Sequence, residues 1–275
     1  METRAYAKVN LTLDVAGKTA DGYHALRTIM LAVDIFDRIA LTFDTAGISI
    51  EADPPLPEGS AAYRAAEGYL ARRGEGGTRA LIRRDIPPEA GLGGSSADAA
   101  AILRALQSRH HALSDNALDA LAAGVGSDVP FLMKGGLALC EGRGEVVTPL
   151  PPMEINLLVV KPARGASTRE VFARLKPPYP MGTTDGALAA IRGGDLAALL
   201  PHVGNALTDA ALSLVPEIGS LLARMRRSGA FAVSMTGSGS AVFGIFEDAA
   251  AARRAARAFS DVPFARPCRS VYDVV

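Results

Sequence analysis

A glycine-rich turn directly before an alanine-rich stretch limits the possible folds of this chain more than any other feature. Gly91, Gly93 and Gly94 precede residues 97–109, whose apolar spacing predicts a closely packed helix. Ser95 and Asp98 predict an N-terminal capping box for that helix. Bare amides and the positive end of a helix dipole converge at such a turn, and glycine lets a ligand approach closely. The sequence therefore predicts a phosphate-binding loop.

The loop differs from the two common nucleotide-binding patterns. No lysine follows its last glycine, as G-x-x-x-x-G-K-[ST] requires, and its spacing is not G-x-G-x-x-G either. The hydroxyls of Ser95 and Ser96 add hydrogen-bond donors, or a ligand for Mg²⁺. Taken alone, G-L-G-G is equally compatible with an ordinary serine-capped turn, so the prediction needs support from the rest of the chain.

The remaining pattern predicts mixed helices and strands. Residues 5–13 alternate between apolar and polar side chains, which is typical of a half-buried strand with Lys8 and Asn10 on one face. Three prolines at 149, 151 and 152 indicate a boundary between two domains, 1–152 and 153–275. Further strands are predicted at 38–43, 48–52, 80–86, 136–140, 155–160 and 269–274, and around a turn within 231–246. Further helices are predicted at 61–73, 114–123 (ending at Gly124), 186–200, 206–214, 217–227 and 249–259.

The composition excludes several classes of partner. Of 275 residues, 49% are hydrophobic, and 29 basic residues balance 29 acidic ones, so we expect a large core and no nucleic-acid or membrane partner. The N-terminus has no export signal, and no window is apolar enough to span a membrane. The two cysteines lack metal-ligand spacing. We therefore expect a cytoplasmic protein, either a monomer or a weak homodimer, without a metal site built from its own side chains.

Lys8 and Asp128 are the candidate catalytic residues. Phosphoryl transfer depends on positioning and charge neutralisation, so a carboxylate near the acceptor hydroxyl, a cation and Mg²⁺ are sufficient. Asp128 lies in GVGSDVPFL, where a carboxylate can accept or orient the hydroxyl proton. In isolation, the local sequence favours Ser127 or Asp128 as a helix N-cap before Pro130, and Lys8 as an exposed strand residue.

Three segments resemble the motifs of the GHMP kinase superfamily. Residues 7–13 (AKVNLTL) resemble its first motif, 88–97 (PEAGLGGSSA) its second, and 235–244 (MTGSGSAVFG) its third. The resemblance implies an α+β, two-domain kinase that uses ATP and Mg²⁺. Its N-terminal domain would be ribosomal S5 domain 2-like with a left-handed βαβ crossover, and its C-terminal domain ferredoxin-like. It also implies that Lys8 and Asp128 act together. The implied nucleotide-binding residues are Pro88, Glu89, Ala90, Gly91, Leu92, Gly93, Gly94, Ser95 and Ser96, with Ser96 the one that would contact Mg²⁺.

Residues 7–30, together with GSDVPFL and CEGRGEVVTPL, most resemble one branch of the superfamily. Members of that branch transfer the γ-phosphate of ATP to the 2-hydroxyl of a cytidine-diphosphate-linked methylerythritol, in non-mevalonate isoprenoid synthesis. The implied substrate-binding residues are Asn10, Tyr23, His24, Thr168, Phe172, Gly237, Ser238 and Gly239. From the residues alone, Tyr23 and Phe172 could be core residues, His24 a loop residue, and 236–240 a tight hairpin turn.

Two rival functions stay open. One is another GHMP kinase, such as homoserine or mevalonate kinase, and the other is a nucleotide-binding module without transfer activity. The presence of both Lys8 and Asp128 argues against the second. The chain also departs from the branch pattern, because Glu89 and Ala90 stand where glycines are frequent and the third motif reads T-G-S-G-S instead of T-G-T-G.

Overall fold

The computed structural model describes residues 1–18, 22–179 and 181–274. Its strands are Glu2–Lys18 (β1), His24–Phe43 (β2), Ile48–Asp53 (β3), Thr78–Arg83 (β4), Leu137–Gly142 (β5), Val146–Pro149 (β6), Asn156–Lys161 (β7), Gly204–Asn205 (β8), Ala232–Met235 (β9), Val242–Phe246 (β10) and Phe264–Arg269 (β11). Its helices are Ala61–Arg73 (α1), Gly94–His110 (α2), Asp115–Val125 (α3), Val129–Lys134 (α4), Thr168–Arg174 (α5), Thr183–Arg192 (α6), Leu196–Leu199 (α7), Thr208–Leu212 (α8), Glu217–Arg227 (α9) and Ala249–Ala256 (α10). Leu200–His202 and Arg257–Phe259 form short 3₁₀ turns.

The strands form two sheets. In the first, β3, β4, β2, β1 and β8 are neighbours in that order, while β5 pairs with β2 and with β6. Strands β3 and β4 are parallel and α1 connects them, which makes a βαβ unit. The second sheet has the order β11, β7, β10, β9 and is antiparallel. Along the chain, helices join its first strand to its second and its third to its fourth, as in a ferredoxin-like half. The predicted α+β fold is confirmed.

Strand β1 is longer than predicted, and the prediction that it is half-buried is wrong. Its polar residues Lys8, Asn10, Thr12 and Asp14 are at most 4% exposed, as are the apolar residues between them. The reason is that the C-terminal half of the chain covers the polar face. Strand β8 pairs in parallel with β1, and the Thr12 and Thr184 hydroxyls lie 2.9 Å apart. The alternation therefore separates an apolar core from a buried polar layer.

The start of α2 also differs from the prediction. The helix begins at Gly94, its N-cap is Gly93, and no side chain caps it, so the predicted capping box of Ser95 and Asp98 is wrong. Ser95 lies inside the first turn, and Asp98 is fully buried. Because the helix starts one residue before Ser95, that hydroxyl is past the position from which it could cap the end. The amides at the start of α2 are left without a side-chain partner.

Other element boundaries agree to differing degrees. Helices α1 and α9 have the predicted bounds, whereas α3 continues past Gly124 to Val125. The last strand is β11, and residues 271–274, predicted as a strand, are in neither a helix nor a strand. Helices α4 and α5 and strand β6 were not predicted. The predicted domain boundary after residue 152 falls between β6 and β7, and the domain limits stay a prediction.

None of the helices described here is long and apolar enough to cross a membrane.

Candidate active site

The glycine-rich loop lies against β1 and leads into α2. The Lys8 backbone N–H donates to the Leu92 carbonyl at 3.0 Å, which ties the loop to the strand that carries Lys8. Gly93 has a φ of 74°, a left-handed conformation that favours glycine. The uncapped start of α2 then presents backbone donors and the positive end of the helix dipole. This arrangement suits a phosphate.

The third motif holds the loop from the other side. The N–H groups of Ser240 and Ala241 donate to the carbonyls of Glu89 and Ala90, both at 3.1 Å. A Cβ on Gly91 would lie 2.1 Å from the Thr236 carbonyl oxygen, so only glycine fits there. Two segments about 145 positions apart are thereby packed backbone to backbone.

Lys8 and Asp128 meet beside the loop. The Lys8 ammonium lies 3.6 Å from the Asp128 carboxylate, and the two side chains are 4% and 27% exposed. Asp128 occupies the N-cap position of α4, in agreement with the alternative prediction of a helix N-cap before Pro130. Its side chain, however, makes no capping hydrogen bond. Its carboxylate is therefore free to face Lys8 and the open space beside it.

Asn10 connects Lys8 to the third motif. Its side-chain oxygen accepts from the Lys8 ammonium at 2.6 Å and from the Gly237 N–H at 2.9 Å. Its amide group donates to the Thr28 hydroxyl at 2.8 Å, and its backbone N–H donates to the Thr236 hydroxyl at 3.0 Å. Asn10 thus orients the ammonium. Its predicted contact with a substrate hydroxyl stays a prediction.

These groups border one cavity of about 950 Å³, within the range of small-molecule sites. Almost all of the predicted site residues line it. They are Lys8, Asn10, Tyr23, His24, Pro88, Glu89, Ala90, Gly91, Leu92, Gly93, Gly94, Ser95, Ser96, Asp128, Thr168, Phe172, Gly237 and Ser238. Gly239 does not line the cavity, since its N–H donates to the Thr236 carbonyl at 2.9 Å inside the turn. The structure therefore brings together segments that are far apart in the sequence.

One part of the cavity wall, called the aromatic end below, contains His24 and Phe172. The His24 and Phe172 rings have centroids 5.1 Å apart, and Tyr179 meets His24 edge-on at 5.7 Å. Burial, and to a lesser extent the charge of Lys18, lower the pKa of His24, so its ring is neutral at neutral pH. Its Nε2 is buried and has no hydrogen-bond partner in the described part of the chain. Because the atom is buried, a ligand reaches it only if the residues around it move.

Comparison with known proteins identifies the family. The family profile described as GHMP kinases N terminal domain matches residues 60–136, and the one described as GHMP kinases C terminal matches residues 187–263. The 4-diphosphocytidyl-2-C-methyl-D-erythritol kinase of Clostridium novyi (strain NT) is 39% identical over 259 residues, which are 91% of this chain and 92% of that protein. The chain belongs to the GHMP kinase family. Membership confirms the prediction of an ATP-dependent phosphotransferase.

Solved structures agree with this assignment. A crystal structure of 4-(cytidine 5'-diphospho)-2C-methyl-D-erythritol kinase matches with a TM-score of 0.86 and 37% identity. The match covers 98% of this chain and 100% of that one. The homoserine kinase of Cytophaga hutchinsonii ATCC 33406 has a TM-score of 0.74 at 19% identity, covering 99% of this chain and 95% of that one. At 19% identity the likeness shows the GHMP kinase fold alone.

Four cationic residues that line the cavity of this GHMP kinase were not predicted: Lys18, Arg84, Arg143 and Arg169. Arg143 lies in the turn between β5 and β6, and its guanidinium is 5.1 Å from the centre of the Tyr23 ring. Arg143 could have been found from the segment CEGRGEVVTPL, because that segment resembles one branch of the GHMP kinases. The local sequence does not show that this hairpin reaches Asp128. The Asp21 of the D-G-Y-H segment lies outside the described residues.

The residues present are compatible with a magnesium ion brought by ATP. In the described chain, no three His, Cys, Asp or Glu side chains cluster to hold a metal. The Ser96 hydroxyl lines the cavity at the start of α2, as does Asp128. Such a site suits Mg²⁺, which keeps most of its ligands as water and phosphate oxygens. Bound there, the ion would neutralise charge on the phosphates.

Proposed function

We propose that this GHMP kinase transfers the γ-phosphoryl group of ATP to the 2-hydroxyl of 4-diphosphocytidyl-2-C-methyl-D-erythritol, a step of non-mevalonate isoprenoid precursor synthesis. One observation carries the proposal. The ammonium of Lys8 and the carboxylate of Asp128 lie 3.6 Å apart on a cavity that the phosphate loop and the aromatic end also line. Curated relatives that bear this enzyme's name, at 39% and 40% identity, support the choice of substrate.

The nucleotide end is formed by the loop from Pro88 to Ser96. Backbone N–H groups at the start of α2 would bond the phosphates, and the helix dipole favours their negative charge. The Ser95 and Ser96 hydroxyls would add donors, and Ser96 would contact Mg²⁺ brought by ATP. The third motif keeps the loop in this conformation through its bonds to Glu89 and Ala90.

The reacting atoms would meet at Lys8 and Asp128. The acceptor oxygen attacks the γ-phosphorus, the bond from that phosphorus to the bridging oxygen breaks, and ADP leaves. Asp128 accepts the hydroxyl proton or orients it toward itself. Lys8, held by Asn10, would neutralise negative charge that develops on the transferred group. Neither step needs a covalent enzyme intermediate.

The aromatic end suits the cytosine base. The His24 and Phe172 rings, tilted by 31° to each other, offer aromatic surface on which a base can stack. The Thr168 and Ser238 hydroxyls lie 2.8 Å apart on the wall of the cavity and would bond the diphosphate together with Gly237. Gly239, which does not line the cavity, would support these groups from inside the turn. Arg143 supplies a cation on the same side. A substrate that carries both a base and an alcohol could use the aromatic end and the Lys8–Asp128 pair of this one cavity.

The test is a panel of alcohols assayed with ATP and Mg²⁺. We expect turnover of the cytidyl substrate and a specificity constant at least about 10³-fold lower for homoserine and mevalonate, because neither offers a base to the aromatic end. Turnover of homoserine or mevalonate without the cytidyl substrate would overturn the assignment. ATP binding without any transfer would favour the nucleotide-binding module instead. Removal of Mg²⁺ by a chelator should abolish transfer, and added Mg²⁺ should restore it.

A cytoplasmic location and a monomeric or weakly dimeric state are part of the same proposal. Both cysteines are buried free thiols, which agrees with a reducing compartment. Sedimentation of the purified protein over a range of concentrations measures its oligomeric state.

A further inference from the structure

Glu89 has an unusual backbone conformation for a residue with a side chain. Its φ is 50°, in the left-handed region that residues other than glycine seldom adopt. Such a conformation persists only where the surrounding structure holds it, and it is often found at functional sites. We therefore examined what the Glu89 side chain and backbone contact.

The Glu89 side chain lies against Gly165, in the segment that leads into α5. A Cβ added to Gly165 would lie 2.2 Å from the Oε2 of Glu89 and 2.4 Å from its Cβ. Both distances are too short for a real contact, so only glycine at position 165 leaves room for this side chain. Burial lowers the pKa of the nearby Lys161, and the charge of Glu89 opposes that effect. The carboxylate is thus attracted toward the segment before α5.

The backbone of Glu89 is bonded to the same segment. Its carbonyl accepts from the Ala166 N–H at 3.3 Å and from the Ser240 N–H at 3.1 Å. Ser240 also donates its hydroxyl to the Arg164 carbonyl at 2.7 Å. The phosphate loop, the third motif and residues 164–166 therefore meet at one junction, to which Glu89 contributes both its backbone and its side chain.

This junction lies directly before a helix that borders the cavity. Helix α5 begins at Thr168, and both Thr168 and Phe172 line the cavity. The Thr168 hydroxyl lies 2.8 Å from the hydroxyl of Ser238 on the third motif. A shift of residues 164–166 would therefore move these α5 side chains relative to the phosphate loop.

We propose that Glu89, although it lies in the phosphate loop, is a positioning residue for the alcohol substrate. Its side chain, packed on Gly165, fixes the start of α5 relative to the loop. The phosphate contacts of the loop would come from backbone N–H groups, which do not depend on this side chain. The inference rests on the proposed function of the cavity, and it connects the Glu89 side chain to binding of the alcohol and not of ATP.

Steady-state kinetics with both substrates varied tests this assignment. Glu89→Gly removes the side chain and suits a φ of 50°, so we expect the KM for the cytidyl alcohol to rise about tenfold while the KM for ATP changes less than about twofold. Glu89→Gln keeps the length of the side chain and should recover most of the loss, to within about threefold of wild type. An equal rise in the two KM values, or equal impairment of the two variants, would contradict the assignment.

Gly165→Ala tests the same contact from its other side. The added Cβ must displace Glu89, so this variant should also raise the KM for the alcohol by about tenfold. The double variant Glu89→Gly/Gly165→Ala lacks the clash and should be no worse than Glu89→Gly alone. If the two losses multiply in the double variant, the residues act independently and the packing of Glu89 on Gly165 does not position the alcohol.

Glu75→Gly is the matched control. Glu75 forms an exposed ion pair with Arg73 at 3.5 Å and does not line the cavity. Both of its KM values should match those of wild type. An equal rise in the KM for the alcohol in this variant would attribute the effect of Glu89→Gly to general instability and would overturn the positioning role.

Amide hydrogen exchange of the whole protein without ligands separates this inference from the proposed function. The Val171 N–H donates to the Ser167 carbonyl in the first turn of α5. We expect this amide to exchange about tenfold faster in Glu89→Gly than in wild type, with α9 unchanged as an internal reference. Unchanged exchange in α5 would overturn the positioning role. Faster exchange in α5, in a protein whose wild type does not phosphorylate the cytidyl alcohol, would support the positioning of α5 and count against the proposed function alone.

Discussion

At the level of single residues, the proposed catalytic centre depends on the buried ammonium of Lys8 and on the groups that surround it. Lys8 is 3% exposed, and it bonds the Asn10 oxygen and faces the Asp128 carboxylate. Burial of a lysine is costly unless such partners are present. Alternation on β1 predicted that Lys8 and Asn10 share a face, but not that the face is covered. Residues near 184 and 236 cover this face of β1, and no local pattern on β1 can predict contacts so distant in the sequence.

Replacement of Asp128 by asparagine tests its role. The amide cannot accept the hydroxyl proton, so we expect Asp128→Asn to lower kcat by roughly 10² or more while ATP binds nearly as before. Steady-state kinetics and a direct nucleotide-binding assay measure the two quantities.

Asp119→Asn is the control, because Asp119 forms an exposed ion pair with Lys134 at 3.4 Å, away from the cavity. Its kinetics should match wild type. If Asp128→Asn behaves like the control, Asp128 has no part in transfer.

At the level of helices, strands and loops, the phosphate loop is defined by what packs on both sides of it. The glycine pattern predicted the loop and the helix after it, and both are present. The pattern did not predict how α2 is capped, because the choice between a serine cap and a bare start depends on where the helix begins. That point is set by contacts of Leu92 with β1 and of Glu89 and Ala90 with the third motif.

Gly91→Ala should damage the loop. Its φ is 72°, and a Cβ there would lie 2.1 Å from the Thr236 carbonyl oxygen. We expect the Kd for ATP to rise by about tenfold or more and the unfolding free energy to fall by about 1–3 kcal/mol, because the phosphate loop and the third motif must both move to make room for the Cβ. Calorimetric titration and urea unfolding measure these effects.

Gly124→Ala is the matched glycine control. Gly124 lies inside α3, and nothing lies within 4 Å of the position that an alanine Cβ would take, so alanine there should stabilise the protein by about 0.5–1 kcal/mol. An unchanged ATP affinity in Gly91→Ala would show that the loop is not the nucleotide site.

The contact between β1 and α6 gives a pH-dependent prediction. Asp14 accepts from the N–H groups of Gly182, Thr183 and Thr184 and from the Thr183 hydroxyl. Burial opposes the charge of Asp14, but these donors outweigh burial and lower its pKa. The stability that they supply is therefore complete above the unfolded pKa of about 3.9 and is lost as the pH falls through the lower folded value.

Asp14→Asn should accordingly lower the unfolding free energy by about 1–3 kcal/mol near pH 7, with a smaller difference from wild type below about pH 4. Urea unfolding at several pH values measures the difference. Asp195→Asn, which alters the cap of α7 without reaching β1, is the control. A difference that grows as the pH falls would contradict the assigned pKa direction.

Across the whole molecule, the active site is assembled from β1, the loop before α2, the start of α4, α5 and the turn between β9 and β10. Sequence motifs identified most of these segments, because their glycines and small polar residues are demanded by local backbone geometry. The motifs gave no role to Arg84 or Arg143, although Arg143 lies in a segment that resembles the branch. Only the packing of the segment after β4 and of the β5–β6 turn brings these two residues to the cavity.

The proposed transfer requires that an ATP γ-phosphate on the loop and the 2-hydroxyl of the cytidyl substrate meet between Lys8 and Asp128. A crystal structure with a non-hydrolysable ATP analogue and that substrate would locate both groups. We predict a hydroxyl oxygen about 3–3.5 Å from the γ-phosphorus and in line with the leaving group, with the base against His24 and Phe172. A nucleotide bound away from the loop, or a hydroxyl turned away from Lys8 and Asp128, would contradict this mechanism.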